Sequence, residues 1–240
     1  MPEKPRTLCI DIGGTGLKTL VVGADGKPLG ERLRVDTPRP ATAKALVEAI
    51  RGLAQKQTPF DRVSVGFPGV VRKGVVETAF NLDKSWIGVN VDRLLTKELG
   101  KPVRAANDAD VQGLGAVKGE GVELVITLGT GFGSSLFVDG RLVPNVQLAH
   151  HAGWSDKTYE DELGNRALKK AGKKRWNKRL RKAIESLGAL FNYDRLYIGG
   201  GNARKIRFDL PARVKVVSNV EGLLGGLALW NGKENCYGVR

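Results

Sequence analysis

Short apolar, β-branched runs alternate along the chain with longer stretches whose apolar residues recur every three or four positions, which predicts an α/β fold. In the first half the runs at 7–12, 17–23, 30–36, 62–67 and 102–106 read as strands. Between them Ala45, Leu46, Ala49, Ile50 and Leu53 share one face of a helix over 41–55. In the second half strands are expected at 123–128, 134–138, 195–198 and 214–218, and helices at 159–170, 176–191 and 220–230.

Two turns share a design. Asp11-Ile12-Gly13-Gly14-Thr15-Gly16 separates the first two strands, and Leu128-Gly129-Thr130-Gly131-Phe132-Gly133 separates the first two of the second half. Each is a strand, a glycine-rich turn with a threonine, then a returning strand. Glycines let backbone amides approach a ligand closely, and such a turn can cradle a phosphate. Either turn alone reads equally as an ordinary glycine hairpin; the pair suggests a duplicated domain. The expected lobes are 1–110 and 111–240, joined within a helix near 108–117.

No apolar run approaches the roughly 18 residues of a membrane span, which excludes a membrane-spanning chain. Residues 1–6 lack the apolar stretch of a signal peptide, and the two cysteines, Cys9 and Cys236, form neither a disulfide framework nor a zinc set. A cytoplasmic protein with free thiols is expected. His150 and His151, the two histidines, need further ligands before they make a metal site.

The net charge of +14 favours a polyanionic partner. Residues 169–182 hold nine Lys or Arg and no acid, so they supply nine of the fourteen net charges. The same stretch carries Trp176, Leu180, Ala183, Ile184, Leu187 and Phe191 at helical spacing, which places the cations on the opposite face. That face is either simply solvated or a track for a polyanion. Aromatic residues make up 6% of the chain and do not interleave with the run, which argues against a nucleic-acid platform.

Asp11 ends its strand beside the first turn, where it could hold Mg²⁺ directly or through water. Lys18, on the returning strand, either brings charge to a phosphoryl group or faces outward. With Asp11–Lys18, Phe67-Pro68-Gly69-Val70-Val71, Asn81-Leu82-Asp83-Lys84-Ser85-Trp86-Ile87-Gly88, Asn107-Asp108-Ala109-Asp110 and the second glycine turn in this order, the chain resembles the ROK family of sugar kinases. The Asp83-Lys84-Ser85-Trp86 block and the lack of a Cys-rich zinc loop resemble the family's polyphosphate glucokinase branch.

The resemblance implies a duplicated actin-like (RNase H-like) two-lobe fold with a central cleft that closes on sugar. It implies phosphoryl transfer from inorganic polyphosphate, ATP or both to the 6-hydroxyl of glucose or a related hexose, with Mg²⁺ as cofactor and a homodimer as the assembly. Asp108 is then the general base, and Asp110 a structural first-turn acid. Gly13, Gly14, Thr15 and Gly16, with Thr130, Gly131 and Gly133, offer amides and hydroxyls to phosphate. Gly199, Gly200 and Gly201 form a loop near the nucleotide or a polymer's distal phosphates. Gly69, Asn81, Asn107, Asp108, His150 and Glu160 match the sugar contacts. Lys169, Lys170, Lys173, Lys174 and Lys178 become a polyphosphate track.

One block departs from the family pattern. Where the family has Glu-x-Gly-His, this chain reads Gln147-Leu148-Ala149-His150. Gln keeps a carbonyl acceptor and loses the charge, so weaker or altered sugar recognition is expected. The departure leaves open a non-catalytic sugar- or polyanion-binding relative, and an ATP-only hexose kinase is a further alternative. The family also contains DNA-binding repressors with an added N-terminal helix-turn-helix. Here the phosphate motif falls within the first dozen or so residues, so no such domain, and no nucleic-acid partner, is expected.

Overall fold

The computed structural model describes residues 4–153 and 155–230; Cys236 lies outside them. The described chain divides into two compact units, one formed by the residues up to Gly115 together with those from Leu223 onward, the other by Ala116–Gly222.

In the first unit β1 (Thr7–Ile12), β2 (Gly16–Val22) and β3 (Leu33–Asp36) run as an antiparallel meander. Helix α1 (Ala43–Gln55) follows, capped by Thr42, whose hydroxyl accepts from the Ala45 N–H at 3.3 Å. Its buried face is Leu46, Ile50, Leu53 and Ala54; Leu46, Ile50 and Leu53 are in the expected stripe, while Ala45 and Ala49 are half-buried. Strand β4 (Arg62–Phe67) pairs parallel with β1. A small hairpin, β5 (Val71–Arg72) with β6 (Val75–Val76), leads to α2 (Val91–Leu99), then to β7 (Val103–Asn107) and α3 (Asp108–Ala116). The sheet order is β3-β2-β1-β4-β7. Nearly every side chain of β1, β2 and β4 is buried, as in a sheet covered on both faces. Trp86 is fully buried beneath it, edge-on to Phe67 at 5.2 Å, its Nε1 donating to the Ala41 carbonyl.

The second unit repeats the plan. Strands β8 (Val122–Leu128), β9 (Phe132–Val138) and β10 (Arg141–Val143) form a meander. Helices α4 (Tyr159–Leu163) and α5 (Asn165–Phe191) come next, then β11 (Arg195–Gly199) and β12 (Val214–Val216), both parallel to β8. The order β10-β9-β8-β11-β12 matches the first sheet strand for strand, in position and direction. This is the duplication that the two glycine turns announced.

The structure revises two expectations. The helix expected over 159–170 is broken at Gly164, which ends α4 and starts α5; the break inside α5 at Gly172 (φ 73°, ψ 160°) lies in the interval expected between two helices. The chain also returns to its first unit at the end. The last described helix, α6 (Asn219–Ala228), packs Leu224 and Leu227 on Cys9, Leu20 and Val22 of the first sheet. Ser64 donates to the Gly226 carbonyl at 2.6 Å, and the Trp230 ring lies against Arg62 and Arg104. The division falls at Gly115/Ala116 within α3, inside the helix expected to join the lobes, and the residues from Leu223 onward belong with the first unit rather than the second.

Candidate active site

In the first unit the antiparallel register sets Asp11 opposite Lys18, and Lys18 Nζ meets the Asp11 carboxylate at 2.6 Å. Lys18 thus faces inward as the partner of Asp11. The Gly13 N–H closes the turn on the Gly16 carbonyl at 3.0 Å, and a Cβ on Gly13 would lie 2.9 Å from that oxygen. At Gly14 a Cβ would meet the Asn81 side chain at 3.2 Å, so Asn81 packs on the first glycine turn itself.

Three residues of this turn escaped the sequence reading. Thr37 Oγ1 donates to the Gly13 carbonyl at 2.6 Å, Arg39 Nη2 donates to the Gly14 carbonyl at 2.7 Å, and Arg34 lies over Gly16. Two further cations thus join Lys18 around the turn. Their signal is the pairing of β3 with β2, which lays 34–36 beside the turn.

The Asn107–Asp108 pair sits where β7 becomes α3. Asn107 caps the helix, its Oδ1 accepting the N–H groups of Ala109 (2.9 Å) and Asp110 (3.2 Å), while its Nδ2 donates to the Gly69 carbonyl at 2.9 Å. Asp108 is set by the backbone around it. Its Oδ1 accepts the Ala109 N–H at 2.8 Å, and Gly66 on β4 leaves only 3.3 Å between a would-be Cβ and the Asp108 Cα. Gly66 is also the β-sheet partner of Asp11, which links the two carboxylates through one strand. Burial first, then the negative charge of Asp11, pushes the Asp108 carboxyl up to about 7; Asp110 adds to the push, and the Ala109 N–H and Lys18 oppose it.

In the second unit the turn after β8 is held from several sides. The Gly129 N–H bonds to the Gly131 carbonyl, and the Asn165 N–H reaches the carbonyls of Gly129 and Thr130. Glu160 on α4 accepts the Phe132 N–H at 3.1 Å, so one oxygen of this expected sugar ligand is engaged by the turn. Ser134 on β9 accepts the Leu148 N–H and donates to the Val146 carbonyl, which fixes the short 3₁₀ turn Leu148–His150 that follows Gln147. Glu160 is thereby held at the second glycine turn, and the 3₁₀ turn that carries His150, with Gln147 before it, is fixed on β9 at Ser134.

The Gly199-Gly200-Gly201 loop lies against the same turn. The Asn202 N–H donates to the Leu128 carbonyl and its side-chain amide to the Gly129 carbonyl, at 2.9 and 3.2 Å. Gly200 adopts φ +87°, and a Cβ there would be 2.4 Å from the Leu128 oxygen. Of the basic stretch, Arg179 is engaged with Glu162 at 2.6 Å; among the described residues none of the other eight cations has a carboxylate partner. Lys169 and Lys170 precede the break at Gly172, and Lys173, Lys174 and Lys178 follow it.

No group of three or more His, Cys, Asp or Glu side chains among the described residues could enclose a metal ion. Magnesium held mainly by a donor's phosphates needs only one or two protein carboxylates, and the hard oxygen donors of Asp11 suit it.

The duplicated sheets, the two glycine turns and the Asn-Asp helix start define a sugar kinase-like protein of the actin-like class. The ROK family model matches residues 7–158, and the chain belongs to the ROK family. It is 35% identical over 237 residues to the polyphosphate glucokinase of Mycobacterium tuberculosis (strain CDC 1551 / Oshkosh), covering 90% of this chain and 88% of that protein. The polyphosphate glucokinase of Mycobacterium leprae (strain TN) is 32% identical over 241 residues, covering 93% and 74%. Among solved structures, the inorganic polyphosphate/ATP-glucomannokinase of Arthrobacter sp. strain KM superposes with a TM-score of 0.85 at 35% identity, over 93% of this chain and 97% of that one.

Proposed function

We propose that this protein is a cytosolic hexose kinase that transfers a phosphoryl group from inorganic polyphosphate or ATP to the 6-hydroxyl of glucose or a related hexose. The observation that carries this reading is Asp108: a carboxylate at a helix start, oriented by the Ala109 N–H and raised to about 7 by burial and by Asp11. A general base works best when its pKa lies near the working pH. The names of the relatives, polyphosphate glucokinase and polyphosphate/ATP-glucomannokinase, support the donor and acceptor classes.

In this mechanism Asp108 accepts the proton of the sugar hydroxyl as its oxygen forms a bond to the terminal phosphorus. The bond from that phosphorus to the rest of the donor breaks, and a polyphosphate one unit shorter, or ADP, departs. The remaining work is positioning and charge neutralisation. The amides of Gly13–Gly16 with Thr15, and those of the Thr130–Gly133 turn with the Gly199–Gly201 loop, hold donor phosphates. Lys18, Arg34 and Arg39 supply positive charge beside the first turn. Asp11 would hold Mg²⁺, which when bound would supply neutralising charge to the donor phosphates. We assign sugar recognition to Gly69, Asn81 and Asn107 of the first unit, and to Gln147, His150 and Glu160 of the second.

The test is formation of glucose 6-phosphate with Mg²⁺, run in parallel with polyphosphate and ATP and repeated with mannose. Turnover with either donor supports the kinase. Failure with both donors on every hexose tried would contradict it and leave a sugar- or polyanion-binding relative.

A further inference from the structure

The Asp83-Lys84-Ser85-Trp86 block has no assigned part in phosphoryl transfer, yet the first unit builds it into a ring of contacts around the first glycine turn. A strap over 37–43 runs from that turn to the start of α1. At its near end Thr37 Oγ1 donates to the Gly13 carbonyl at 2.6 Å and Arg39 Nη2 to the Gly14 carbonyl at 2.7 Å. At its far end the block takes hold. The Ala41 carbonyl accepts both the Asp83 N–H (3.3 Å) and the Trp86 Nε1–H (3.2 Å), which uses its two lone pairs. Ser85 Oγ accepts the Ala43 N–H at 3.2 Å, one of the first-turn donors that α1 cannot satisfy itself. Asn81, just before the block, closes the ring by packing on Gly14.

The block is itself fixed to the core. Trp86 is fully buried and edge-on to Phe67, the last residue of β4, which pairs with Asn107 in the sheet. The Asp83 carboxylate accepts the Ser85 N–H at 2.8 Å, which sets the short 3₁₀ turn that presents both Ser85 and Trp86 to the strap. The strap is thus pinned at the glycine turn and at the block, with Arg39 between the two anchors.

Arg39 differs from the other cations of the turn. Lys18 is neutralised by Asp11 at 2.6 Å, and Arg34 by Asp36 at 3.0 Å. Arg39 is exposed and has no carboxylate partner among the described residues. Its bond to the Gly14 carbonyl occupies one N–H and leaves the rest of a planar fork suited to phosphate oxygens. A long side chain loses rotamer freedom when it binds, and fixing its backbone and one N–H beforehand lowers that cost.

We propose that Ser85 and Trp86 are positioning residues for the phosphoryl donor: through the 37–43 strap they hold Arg39 at the first glycine turn as its unneutralised cation for donor phosphate. The proposal rests on the reading of that turn as a donor site, and its test separates the two. Calorimetric binding of tripolyphosphate and of MgATP is measured with steady-state kinetics for the wild type, Arg39→Ala, Ser85→Ala and Trp86→Phe, which keeps a ring against Phe67 and loses the Nε1 donor. Each block substitution is also combined with Arg39→Ala. Lys84→Ala removes a cation from the same block without touching a strap contact. Thermal melts establish that each variant is folded; Arg39 and Ser85 are exposed, so their variants decide the matter should Trp86→Phe unfold.

Arg39→Ala is expected to weaken binding of both donors, and to raise the donor KM, about tenfold. Ser85→Ala and Trp86→Phe are expected to cost about threefold each, with the sugar KM within about twofold of the wild type. In the Arg39→Ala background the same block substitutions should add less than about 1.5-fold, because nothing remains for them to position. Lys84→Ala should stay within about twofold throughout. Undiminished donor affinity in Arg39→Ala, block effects equal with and without Arg39, or a rise in sugar KM in place of donor KM would overturn the proposal. If no hexose were phosphorylated with any donor, the kinase reading would fail, yet the binding cycle would still decide whether Arg39 and the block act together on a phosphate.

Discussion

As the proposed base, Asp108 concentrates the chemistry of the mechanism at one residue. Its carboxyl, raised to about 7, must be deprotonated to accept the sugar proton, so kcat/KM should rise about tenfold per pH unit below that value and level off above it. A pH–rate profile with no acid limb between pH 5 and 8 would show that another group takes the proton. Gln147 is the second residue with a distinct expectation. Gln147→Glu restores a charge-assisted hydrogen bond to a sugar hydroxyl and should lower the sugar KM several-fold at similar kcat; an unchanged KM removes Gln147 from the sugar contacts. The place of Asp108 at a helix start was legible because it lies in a local block, Asn107-Asp108, that follows a strand. Arg39 and Thr37 were not, since both act on backbone carbonyls of Gly13 and Gly14 more than 20 residues earlier in the chain, and only the β2–β3 pairing brings them there.

At the scale of elements, glycines decide where loops meet. Gly200→Ala places a Cβ against the Leu128 backbone at a φ of +87°, whereas Gly201 has open space around it. Gly200→Ala should therefore destabilise the protein by about 1–3 kcal/mol or more, and Gly201→Ala by far less. Thermal melts of the two variants check this, and equal Tm values would mean that the 199–202 loop is not held on the second glycine turn. The central strands were readable because buried, β-branched runs bounded by glycine turns have few alternative readings. Helix α2 was not, because only Val91 and Leu95 of its nine residues are buried. The break at Gly164 was hidden by the helical spacing on either side, into which a glycine fits at modest cost, whereas the break at Gly172 falls in the interval left between the two expected helices.

The whole molecule adds a pH dependence of stability. Asp108 and Asp92 both have raised carboxyls, at about 7 and about 6, each chiefly through burial. Above roughly pH 4, where unfolded carboxylates have released their protons, the folded state still holds these two. Unfolding then releases protons, so stability should fall as pH rises from about 5 to 7. In metal-free buffer Tm should decline across that window, and Asp108→Asn should flatten its upper part; a Tm that climbs instead would refute the burial of these carboxyls. The duplicated plan was visible in the repeated glycine turns. The return of α6 to the first sheet was not, since nothing in residues 219–228 states which of two similar sheets they cover.

The most direct test of the account is the turnover of Asp108→Asn against the wild type, with sugar binding measured alongside. Removal of the base should lower kcat by a factor of about 10²–10⁴ with polyphosphate and with ATP alike, while sugar affinity changes little. A variant that phosphorylates hexose at the wild-type rate would contradict the assignment on which the mechanism rests.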